Sequence, residues 1–145
     1  MLDPTLAIGH HLLIFAIFGI ICVEFWAVRP GLSAAIISRI GALDVFYGIL
    51  AAAVVVIGFG RAIFAAKGWG YYSHNAFFWA KLTTFALIGV LSLPPTRALI
   101  RWRRSGVQPN EAEVAKIRGY LHAELALFVL LPLFAAAMAR GFGQF

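Results

Sequence analysis

Charge inside an apolar run is the first thing this chain offers. Lys81 stands in Phe77-Phe78-Trp79-Ala80-Lys81-Leu82, Arg61 ends a run of alanines, valines and isoleucines, and His10 and His11 open another apolar run. Ionisable groups in hydrocarbon are costly and mark functional sites by default. Sorted by depth, they form two layers. The outer layer holds His10, His11, Arg61 and Lys81, with His74, Tyr71 and Tyr72 from the adjoining loop. The inner layer holds Glu24, Asp44, His122 and Glu124.

Each candidate has a structural alternative. Lys81, about five residues into its helix and roughly 8 Å deep, could snorkel to the interface. Against that, Lys81, Thr84, Ile88, Ser92 and Thr96 fall three or four apart and share one face, so Lys81 is expected to point inward. His10 and His11 project about 100° apart; one faces the core and the other the interface. His122 and Glu124 are two apart and face opposite ways, and either can pair with Arg118 or Lys116. Asp44 reads equally well as an anion in the first turn of a helix. No His-x-x-x-His or Glu-x-x-His pattern occurs, which argues against a two-metal carboxylate bundle. A haem iron remains open. It would take His10 or His11 with His74, or one histidine with Lys81, or one histidine alone.

The elements that position these groups follow from hydropathy. The chain has 145 residues, is 62% hydrophobic, and has a mean hydropathy of +0.89. Soluble domains are about 45–50% apolar on a similar count, so a bilayer protein of one domain, residues 1–145, is expected. Spans of about 20 residues are needed to cross the bilayer, and four occur, at about 6–28, 43–65, 76–100 and 113–138. Arg29-Pro30-Gly31 ends the first. Ser33 is expected to cap a short interfacial helix, 34–40, closed by Gly41. Gly68–Asn75 reads as an aromatic loop. Pro94-Pro95 should kink or end the third span, and Pro132 should bend the fourth. Asn110-Glu111-Ala112-Glu113 resembles a capping box.

The expected fold is therefore all-α, a transmembrane four-helix bundle with short loops. Eight basic residues (Arg29, Arg39, Arg97, Arg101, Arg103, Arg104, Lys116, Arg118) flank one side and four (Arg61, Lys67, Lys81, Arg140) the other. The split places the Trp102–Arg104 loop in the cytoplasm of a bacterium and both termini on the non-cytoplasmic side of its inner membrane. The net charge of +6 therefore reads as a topology signal, and no nucleic-acid partner is expected. The lone Cys22 excludes a disulfide framework. Met1-Leu2-Asp3-Pro4 has no basic n-region, so the first span is expected to be retained.

Two resemblances add to this. His11 with Phe18-Gly19, and Phe78-Trp79-Ala80-Lys81-Leu82, resemble HemJ-type protoporphyrinogen oxidases and, in general look, the CopD membrane domain. The sequence departs from the HemJ-type pattern after the Lys-Leu span, where Leu91-Ser92-Leu93-Pro94-Pro95 stands. Over nearly the whole chain, Asp44-x-x-Tyr47-Gly48, Arg61, Asn75-x-Phe77-Phe78-Trp79-x-Lys81-Leu82, Leu91-Ser92-x-x-Pro95-Thr96 and Trp102-Arg103 resemble a bacterial domain-of-unknown-function family of four-span membrane proteins. The HemJ-type resemblance implies haem b and a porphyrin-like or quinone-like partner, with His11 on the iron and Lys81 as a carried-over position. The resulting expectation is a haem-b or porphyrin-associated oxidoreductase. It would use Lys81 and Arg61 as catalytic or anion-holding cations and His11, His10, His74 and Tyr72 around the cofactor. The alternatives are an accessory subunit of a larger membrane complex, or a homo-oligomer, held by small-residue faces, and an ion or proton conductor using the Glu24, Asp44 and Glu124 layer.

Overall fold

The computed structural model describes residues 2–64 and 67–145, the first two of these by backbone alone. Met1 and Ala65, the expected end of the second span, lie outside the described residues. Among the described residues six helices follow one another: α1 (Leu2–Ala27), α2 (Ala34–Phe64), α3 (Gly68–Ser73), α4 (Ala76–Ser105), α5 (Glu111–Phe128) and α6 (Leu130–Ala139). Four segments are long and apolar enough to cross a membrane: Pro4–Ala27, Ala34–Phe64, Ala76–Ser105 and Glu111–Ala139, the last made of α5 and α6. The chain is an all-α transmembrane bundle.

α1 packs on α2 and α5, and α4 packs on α2, α5 and α6. That leaves α1 and α4 on one diagonal of the bundle and α2 and α5 on the other. Ile17, Ile21, Ile88, Leu99, Leu121 and Phe128 fill the centre. Large apolar side chains such as Leu12, Phe15, Val56, Phe64 and Val90 point outward, while Glu24, Asp44, Asn75 and Glu124 are buried. Hydrocarbon outside and polar groups inside is the arrangement a bilayer imposes.

Several local expectations are corrected. The interfacial helix does not stop at Gly41, because α2 is continuous from Ala34 to Phe64. A helical glycine costs about 1 kcal/mol, less than exposing unpaired backbone groups in lipid. Ser33 does sit before this helix, with its hydroxyl accepting from Ile36 N at 3.3 Å. Asp44 consequently lies in the third turn of α2, beyond the reach of the helix-terminal dipole. Residues 68–73 are helical, not a loop. α4 runs unbroken through Pro94 and Pro95, with Pro95 fully buried against its neighbours. Pro132 acts as expected but upstream: the fourth span is interrupted at Val129, since the proline ring clashes with the carbonyl four residues earlier, that of Phe128.

The helix ends are closed by side chains. Asn110 and Glu113 form the full capping box of α5. Arg118 donates from one nitrogen to Phe25 O and Val28 O, both at 2.7 Å, so a cation on α5 satisfies two carbonyls at the end of α1.

Asn75 makes the densest closure. It is fully buried. Its Oδ1 accepts from Phe77 N at 2.9 Å and Phe78 N at 3.2 Å, capping α4. Its Nδ2 donates to Phe142 O at 2.9 Å. The tail continues the clasp: Ala76 N donates to Gly143 O and Phe145 N to His74 O. Gly143 has a φ of 81°, and a Cβ there would meet Phe77 at 2.6 Å, so only glycine fits. One residue thus starts α4 and ties down the C-terminal tail. Asn75→Ala is expected to cost about 1–2 kcal/mol, read as a lower unfolding midpoint in detergent. Asn75→Asp, which keeps the cap and loses the donor, should fall between.

Candidate functional site

Polar and ionisable side chains gather toward opposite ends of the bundle. At one end, Glu24 comes from α1, Asp44 and Tyr47 from α2, Ser92 and Thr96 from α4, and Glu124 from α5. Glu124 is 1% exposed and Glu24 3%. Asp44 and Glu124 lie near enough to Glu24 to interact with it. Tyr47 lies against both Glu124 and Ser92, crossing the α2–α5 diagonal. Asp44 Oδ1 accepts from Thr96 Oγ1 at 2.8 Å, and Ser92 Oγ donates to Gly89 O at 2.8 Å.

Local sequence explains the convergence. Asp44 and Tyr47 are three apart on one face of α2, and Ser92 and Thr96 are four apart on the facing side of α4. Buried polar groups gain where they meet one another, away from lipid. Two oxygens stay unsatisfied. Glu24 Oε1 and Glu124 Oε1 are buried with no hydrogen-bond partner. A buried polar atom left without a partner is costly. Among the described residues no three His, Cys, Asp or Glu side chains lie close enough together to hold a metal ion. A groove of about 350 Å³ between α2 and α4 reaches this layer, its walls including Gly41, Asp44, Tyr47, Ser92, Thr96 and Arg103.

His122 does not belong to this layer. It is exposed on the outer face of α5, its ring 6.1 Å from that of Phe25, because Glu124, two residues on, takes the inward face. Nor does Arg118 or Lys116 pair with either; Arg118 serves the α1 carbonyls instead.

At the other end, His10 turns inward and His11 outward. His11 is exposed, with Nδ1 bonded at 2.6 Å to Ala7 O. His10 lines a cavity of about 70 Å³ with Lys81, Gly58, Phe59, Phe78 and Leu131. Lys81 and Arg61 are the cations that act on His10. His74 is exposed and bonds Gly70 O at 2.9 Å. Tyr72 packs on Phe78 at 5.8 Å between ring centroids, and the Tyr71 hydroxyl donates to Met138 O.

These residues do not fit a haem inside the bundle. His10 is the one histidine of the four that lines the interior, and its cavity is well below the roughly 300 Å³ of an ordinary small-molecule pocket. His11 and His74 are exposed, while His10 lines the interior.

Residues 2–143 match the model of a family described as "Predicted membrane protein (DUF2214)". The chain belongs to this family. Its description assigns neither reaction nor cofactor, and it agrees with four membrane spans. No curated protein and no solved structure matches the chain.

Among residues the sequence reading left without a role in this layer, Tyr47 is the most consequential; its signal was the three-residue spacing from Asp44. The Asp44–Thr96 bond gives a direct test. Thr96→Val leaves a buried carboxyl without its donor and should cost about 1–3 kcal/mol, measured as a lowered unfolding midpoint, whereas Thr96→Ser should stay near the parent.

Proposed function

We propose that this membrane protein works through proton exchange at the Glu24, Asp44 and Glu124 cluster. The observation that carries the reading is the pair of buried, partnerless carboxyl oxygens, Glu24 Oε1 and Glu124 Oε1. Burying a carboxylate's charge without a partner is very costly, and a proton is the simplest species that removes it. Tyr47, lying between Glu124 and Ser92, has a hydroxyl that both donates and accepts, which suits a relay. The α2–α4 groove is the route by which the cluster meets water.

The middle of the bundle argues against an open pore. Ile17, Ile21, Ile88 and Phe128 pack there, and close-packed apolar side chains leave no wet path. The cluster therefore exchanges protons with one side, and any transfer to the other needs a rearrangement. That behaviour suits a proton-linked sensor or transporter component, acting alone, as a homo-oligomer, or as an accessory subunit of a larger complex. By the positive-inside rule the groove side, which carries Arg97, Arg101, Arg103 and Arg104, is cytoplasmic, in a bacterial inner membrane.

The haem-b reading rests on the HemJ-type resemblance and finds no converging ligand set. Infrared spectroscopy of the purified protein tests the proposal. A carboxylic-acid carbonyl band that shifts in heavy water should be present, and Glu24→Gln and Glu124→Gln should each remove part of it. Liposomes carrying the protein and a trapped pH dye should show proton uptake that either variant diminishes. An unchanged infrared band in both variants would sink the reading, and a Soret band in protein from haem-replete cells would restore the haem alternative.

A further inference from the structure

The opposite end of the bundle carries chemistry that proton exchange does not use. His10 and Glu24 are fourteen residues apart on α1, roughly 21 Å, so the two ends are separate sites. Lys81 lines the 70 Å³ cavity and makes no hydrogen bond or ion pair with any described residue. It sits in the second turn of α4. His10 Nδ1, on the facing helix, is shielded from solvent and has no partner. Arg61 lies close to both.

The Lys81 ammonium loses its hydration on burial, and His10 Nδ1 beside it is a polar atom left unpaired. A small anion between them relieves both costs. We infer that this cavity binds a small monovalent anion, of the size of chloride, nitrate or formate, held by Lys81 Nζ and by a ring N–H of His10.

Size and lining support that class. A water needs about 10–15 Å³ of such space, so 70 Å³ admits one small anion or a few waters and excludes a lipid phosphodiester. Val54, Val55, Phe59, Phe78 and Phe85 supply the rest of the wall, and an apolar wall strengthens the attraction of the few polar atoms it surrounds. Gly58 makes the room. A Cβ there would stand 3.2 Å from His10 Cε1, so a side chain at 58 would displace the imidazole.

The test is the unfolding midpoint of the purified protein, followed by tryptophan fluorescence, in sodium gluconate exchanged at constant ionic strength for chloride, nitrate or formate. A binding anion stabilises in proportion to its occupancy, so a saturable rise is expected with the small anions and none with gluconate. The formate arm separates a carboxylate source from an inorganic one. Lys81→Met should raise the half-saturating concentration about tenfold or more, Lys81→Arg should keep binding, and Gly58→Ala should weaken it. If Lys81→Met does not fold, His10→Gln takes its place with the same expectation. A rise of equal size in gluconate, no rise with any anion, or an unchanged half-saturation in the folded Lys81→Met or His10→Gln variant would overturn the inference.

Discussion

Hydrocarbon supplies no hydrogen-bond partner, and this one fact governs the molecule. Every polar group carried into a span must be answered by another part of the same bundle. The arginine of α5 that reaches the last carbonyls of α1, the threonine of α4 that reaches the aspartate of α2, and the asparagine that caps α4 while holding the tail are all answers to it. Helices that would slide freely past one another on apolar contact alone are registered by these bonds.

The places where the answer is incomplete are the places with chemical potential. Glu24 and Glu124 at one end and His10 at the other retain buried polar atoms without a partner. Between them lies a packed layer of isoleucine, leucine and phenylalanine. The protein is thus polar at both ends and dry in the middle. The carboxyl end borders a groove whose wall includes Arg103, and the cationic end is ringed by aromatic side chains.

The junction of α3 and α4 explains how the cationic end stays in place. Trp79 Nε1 donates back to Ser73 O, Asn75 fixes the first turn of α4, and the tail runs past to bond with His74 and Ala76. Lys81 follows directly on this fixed turn, so its depth is set by a buried asparagine six residues before it. The inward face is then set by helical spacing, which carries Thr84, Ile88 and Ser92 into the core on the same side.

Much of this was legible from the chain alone. Four runs of apolar residues determine the number of spans, because a bilayer needs about twenty such residues per crossing. Helical spacing determines that Thr84, Ile88, Ser92 and Thr96 share a face, and that His122 and Glu124 cannot both turn inward. Tertiary structure decided the rest. Which imidazole of His10 and His11 faces the core depends on where α2 lies, and Gly58 is what leaves space for His10. That α2 passes Gly41 without a break, and that Asp44 meets Thr96, depends on the pairing of α2 with α4. Local pattern records the cost of each residue within its own helix; it holds no record of the distant groups that offset that cost, and those groups chose the site.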